Sequence, residues 1–70
     1  MKECVKNNVC ELRKKLGVTQ EVLAEKMQVS RQTIIAIEKG NYTPSVLLAI
    51  KVAGFFETPV EEIFKISYEE

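Results

Sequence analysis

Seventy residues allow one domain, 1–70, and leave no room for a second core. The chain is 46% hydrophobic, has no histidine and has a formal net charge of zero. That suits a compact helical bundle and argues against zinc chemistry and against a strongly basic nucleic-acid binder.

The N-terminal stretch MKECVKNNVCELRKK has no h-region or cleavage pattern. No apolar run reaches the roughly eighteen residues of a membrane span, so a cytoplasmic, membrane-free protein is expected. Cys4 and Cys10 are too few for a zinc site or a disulfide framework. They read as two free thiols, with redox sensing as the alternative.

The first helix is expected after Asn8, with Glu11 as capping-box partner and Gly17 as the stop. Its expected buried face is Val9, Leu12 and Leu16. Thr19 caps a second helix over 20–27, on which Leu23 and Met27 share a face beside the small Ala24. Gln28 and Val29 form the turn. Ser30 caps a third helix from Arg31 to Lys39, with Ile34 and Ile37 inward and Gly40 as its stop.

Residues 41–44 are a loop. Ser45 caps a fourth helix to about Phe56, with Leu48, Val52 and Phe55 on one stripe. Thr58 and Pro59 open a fifth, with Glu61 closing its capping box and an end near Phe64. Residues 65–68 alternate polar with apolar, as a strand does. They either pair with Cys4 and Val5 in a small antiparallel β-ribbon or form a frayed tail. The fold class is all-α, five helices, with that ribbon as an optional addition.

The third helix turns Arg31, Gln32, Thr33, Ile35 and Ala36 outward. Such a face suits the major groove of DNA, where Arg pairs with guanine and Gln with adenine through two hydrogen bonds each. Ile35 either packs on a thymine methyl or is simply exposed. Lys39, Asn41 and Tyr42 follow this helix and are placed to donate to phosphates, which positions a protein without reading sequence. Residues 1–43 carry eight Lys/Arg against five Glu, and residues 44–70 carry two Lys against five Glu. The basic part can face phosphate while the acidic part stays away from it.

The chain resembles the Cro and lambda-repressor type of helix-turn-helix regulator, the XRE-like family. The pattern is carried by Thr19-Gln20, Leu23-Ala24, Met27, Val29-Ser30-Arg31-Gln32-Thr33-Ile34, Ile37-Glu38 and Gly40. It continues through 41–45, 48–53, Thr58-Pro59 and 61–64, and covers roughly residues 7–66. One departure is Gln28, where the family usually has Gly; a left-handed backbone there costs a non-Gly residue on the order of 1–2 kcal/mol. The resemblance implies a five-helix, lambda-repressor-like DNA-binding domain with the helix-turn-helix at about 19–40. It implies that Gln20 holds a DNA phosphate, and that Arg13 and Glu38 form a partly buried ion pair joining the first and third helices.

Minimal members of this kind are typically homodimeric repressors, and two recognition helices about 34 Å apart read a palindrome. The dimer contact is expected in residues 55–68, on Phe56, Ile63, Phe64 and Ile66. Those residues are more apolar than short helices can bury, and Phe55 and Phe56 cannot share one inward direction. The competing reading is a protein-interaction module of the antitoxin or adaptor type. No nucleophile beside a base and no phosphate-cradling Gly loop is present, so an enzyme is not expected. No cofactor, metal or small-molecule ligand is expected either.

Overall fold

The computed structural model describes residues 2–69, and the side chains of residues 3–68; Met1 and Glu70, part of the one-domain reading, lie outside the described residues. The element order is β1 (Lys2–Asn7), α1 (Val9–Leu16), α2 (Gln20–Met27), α3 (Arg31–Glu38), α4 (Val46–Phe56), α5 (Val60–Ile63) and β2 (Phe64–Glu69). Five helices form the body, and the two chain ends pair as an antiparallel ribbon with Cys4 opposite Ser67 and Val5 opposite Ile66.

Short polar side chains start three of the helices. Thr19, Ser30 and Ser45 have extended backbones, and their hydroxyls accept from the backbone N–H of Val22, Thr33 and Leu48. Each satisfies a donor that the helix itself leaves open. Left-handed residues end three helices: Gly17 after α1, Gln28 after α2 and Glu57 after α4. Gln28, with φ 61°, therefore carries the strain its side chain implies at that turn.

The core is Val9, Leu23, Ala24, Met27, Ile34, Ile37, Leu48, Val52 and Ile63. It draws on all five helices, so none of them is an appendage. Val29 packs against it from the turn. The ribbon is anchored by two adjacent asparagines. The Asn7 side chain donates to the Ile37 carbonyl at the end of α3 (2.9 Å), and the Asn8 backbone N–H donates to the Ile63 carbonyl (3.2 Å).

Four expectations change. Asn8 makes no side-chain cap; instead the Asn7 side-chain oxygen accepts from Val9 N–H, and Asn8 Nδ2 reaches the Glu62 carbonyl. Pairing with β2 fixes the chain before α1, so the cap shifts back one residue. Leu16 is exposed, because the last turn of α1 runs past the core to the rim of an open hollow shared with Phe55 and Phe56. Thr58 donates to the Phe56 carbonyl instead of capping α5, and Pro59 takes the cap position.

The fifth helix ends at Ile63 with Phe64 as its C-cap, as expected, and Phe64 also opens β2, paired with Asn7. Phe55 and Phe56 both pack against the core, edge to face with centroids 5.1 Å apart. The second ring finds room because α4 ends there and the chain turns away at Glu57.

Candidate nucleic-acid interface

α2 and α3 meet through Leu23, Ala24 and Met27 on one side and Ile34 and Ile37 on the other, all buried. That packing leaves one face of α3 free of the core. Arg31 and Gln32 are exposed, and Thr33, Ile35 and Ala36 are half-buried. The Ser30 hydroxyl accepts from Thr33 N–H and lies 3.1 Å from the Thr33 hydroxyl, so the first turn of α3 is held by its own cap.

The residues expected at DNA fall into separate places. Gln20 and Arg31 line one open hollow between the starts of α2 and α3. Thr33 and Tyr42 line another, beside the turn at Gln28. Lys39 lines a third, next to β1. Lys39, Asn41 and Tyr42 are all exposed.

Arg31 lies 3.9 Å from Glu21, with both side chains largely in solvent, so this pair holds it loosely. Gln20 is held firmly: its Nε2 donates to Glu38 Oε1 at 3.0 Å. A primary amide has two N–H donors and a carbonyl, so groups remain for a phosphate after this bond.

Glu38 is the centre of a network behind that surface. Arg13 Nε donates to Glu38 Oε2 at 2.7 Å and Arg13 Nη2 to Glu38 Oε1 at 3.2 Å, a two-pronged pair. The side chains are only 12% and 7% exposed. Arg13 Nη1 also donates to the Val18 carbonyl, so one guanidinium joins α1, the following turn and α3. Burial pushes the Glu38 carboxyl up. The hydrogen bonds from Arg13 and Gln20 and the Arg13 charge outweigh that, and hold it below its ordinary value of 4.5. The bond to Glu38 raises the Arg13 guanidinium in turn.

Of the expected dimer residues, Ile63 is in the core at 1% exposure and cannot form a contact between copies. It points inward because α5 is a single turn whose apolar side seats on the bundle. Phe56 and Phe64 pack partly against the core. Ile66 is exposed.

Lys51 was not singled out by the sequence pattern. Its ammonium donates to the Met27 carbonyl at 2.7 Å and to Gln28 Oε1 at 3.3 Å. It therefore ties α4 to the left-handed turn of the helix-turn-helix and satisfies a carbonyl at the end of α2. The one signal for it is that Lys51 is the single charge in α4. Neither cysteine is in a disulfide, and Cys10 Sγ lies 3.7 Å from Arg13 Nη2.

Among the described residues, no group of three or more metal-ligating side chains is assembled, and no helix is long and apolar enough to cross a membrane.

A helix-turn-helix family model matches residues 11–63. The chain is 48% identical over 65 residues to YgzD of Bacillus subtilis, an uncharacterized HTH-type transcriptional regulator, covering 93% of this chain and 98% of that one. It is 55% identical over 60 residues to the uncharacterized HTH-type transcriptional regulator MJ0272 of Methanocaldococcus jannaschii, covering 86% and 91%. Two solved structures share the fold. A candidate DNA-binding protein of Bacteroides fragilis superposes with a TM-score of 0.78 at 23% identity, over 87% of this chain and 98% of that one. The transcriptional regulator VanUg superposes with a TM-score of 0.77 at 17% identity, over 99% and 92%.

Proposed function

The chain belongs to the XRE-type helix-turn-helix family of DNA-binding transcriptional regulators, not to an enzyme family, and from that premise we propose that it is a repressor binding a palindromic operator as a homodimer. The observation that carries the reading is the outward face of α3. It offers Arg31 and Gln32 free of the core, at the end of a helix whose first turn is fixed by Ser30. In this reading α3 enters the major groove, Arg31, Gln32 and Thr33 read base edges, and Ile35 packs on a thymine methyl. Gln20, Lys39, Asn41 and Tyr42 hold phosphates on either side and set the register. Bound across a promoter, the protein blocks polymerase. A cytoplasmic location goes with this role.

Measuring DNA affinity against salt tests the reading. Each neutralised phosphate contributes about 0.9 to the slope of log affinity against log salt. A steep slope on a palindromic site is expected, and a flat one would reject the mechanism. A flat slope with salt-insensitive binding to a protein would favour the interaction-module reading instead. The uncovered apolar side of α4 is the feature that keeps this second reading in play.

A further inference from the structure

The fourth helix, VLLAIKVAGFF, carries one charged side chain, and the Lys51 ammonium is already engaged at the end of α2. A helix apolar on all sides is normally buried on all sides. Here Leu48 and Val52 are buried and Phe55 and Phe56 are partly so, but the opposite side is open. Val46 is 77% exposed, Leu47 70% and Ile50 58%. At 100° per residue these three and Gly54 span one arc about 100° wide. Gly54 is exposed, and a Cβ placed there would meet nothing within 4 Å. Neither the packing nor the backbone of this chain requires glycine at a position where it weakens the helix. A missing side chain on an uncharged helix face suits the close approach of another helix.

Resting on the homodimer reading above, we propose that this face of α4 is where a second copy of the chain docks, α4 against α4 about a twofold axis. Three features select a second copy over an unrelated partner. In a twofold contact each surface meets itself, so a charge near its centre is repelled by its own mate; this arc has none. Run antiparallel with Ile50 opposite Ile50, the two helices place Val46 opposite Gly54, so a bulky side chain meets a vacant position at both ends.

The third feature is size. The three exposed side chains present on the order of 350 Å² per protomer, the size of a functional patch. With its rim, a pair of such patches reaches the roughly 1,000 Å² expected of a specific interface. The ribbon offers less: on the side of exposed Ile66 and Tyr68, Val5 is already half-buried and the charged Glu3 stands directly opposite Tyr68. Leu47 lines the same hollow as Thr33 and Tyr42, so the docking face and the DNA-facing surface share an edge.

Sedimentation of the whole chain tests this, alongside circular dichroism and binding to a palindrome and to a single half-site. Wild type should be a dimer. Ile50→Glu sets two carboxylates face to face at the axis and should raise the dimer dissociation constant at least 100-fold while the fold is kept. Gly54→Ala should raise the Tm of the domain yet weaken the dimer about tenfold, which a merely structural glycine would not do. Ile66→Glu should leave the dimer intact. Ile50→Glu should also keep half-site affinity and lose the advantage of the palindrome. A dimer broken by Ile66→Glu and not by Ile50→Glu would overturn the inference, as would a wild-type monomer. A dimer broken by Ile50→Glu that binds no DNA would uphold the inference and sink the repressor reading.

Discussion

The outward face of α2–α3 and the outward face of α4 are both solvent-facing helix surfaces, yet they are built on opposite terms. The first is polar, and its chemistry is backed from behind: Gln20 leans on Glu38, Glu38 on Arg13, and the start of α3 on Ser30. The second is apolar, and its polar support is the Ser45 cap at the start of α4. Its single cation has turned away to stiffen the first face, at the turn after α2. A polar surface held in fixed geometry suits a ligand that presents many hydrogen-bonding groups in a set pattern. An uncharged surface gains only by excluding water, and so suits another protein.

The network behind the polar face should give the largest effect. Arg13→Ala leaves a buried carboxylate without its partner and should cost about 3 kcal/mol of stability. Urea unfolding monitored by circular dichroism measures it. The same loss at the exposed Arg31–Glu21 pair should be small, and equal losses at both would refute the contrast drawn between them.

The pH dependence follows from the same group. Glu38 is held below its ordinary value of 4.5, so the unfolded chain takes up its proton first as pH falls. The stability it contributes is complete above that ordinary value and is lost as pH drops through the lower folded value. Stability of wild type over Glu38→Gln should therefore shrink on acidification through that window. An advantage that grew on acidification would contradict this account.

Arg31→Ala and Gln32→Ala should each reduce discrimination at particular base pairs by about 1–3 kcal/mol, with melting temperature nearly unchanged. Binding to a panel of single-base variants of the operator reads this out. Equal weakening on every sequence would move the residue from base reading to phosphate contact.

The smallest effect concerns the joint between the two faces. Gln28→Gly should relieve left-handed strain and stabilise the domain by about 1 kcal/mol, less whatever the bond from Lys51 contributes. Thermal melts of Gln28→Gly with and without Lys51→Met separate the two contributions.

Periodicity and caps were local enough to read directly. Thr19, Ser30 and Ser45 act through a hydrogen bond three residues away, and Leu23, Met27, Ile34 and Ile37 share faces at helical spacing; all behave as expected. The Arg13–Glu38 pair came from the family pattern and is present. The short-range readings that failed, at Asn8, Leu16 and Thr58, lie where a neighbouring element overrides local preference. Asn8 is captured beside the paired chain ends, where its N–H donates to the Ile63 carbonyl, across a sequence separation that no local signal reports.

What the sequence determined by itself was therefore the five helices, the inward faces of α2 and α3 and the exposed Arg31 and Gln32 on α3, because these depend on spacing within one helix. Only the tertiary structure decided which apolar residues the core had room for. It took in Ile63 and left out Val46, Leu47 and Ile50, although all four have the same chemistry. Burial is a property of volume shared among helices, and five short helices around one small core can cover only one side of α4.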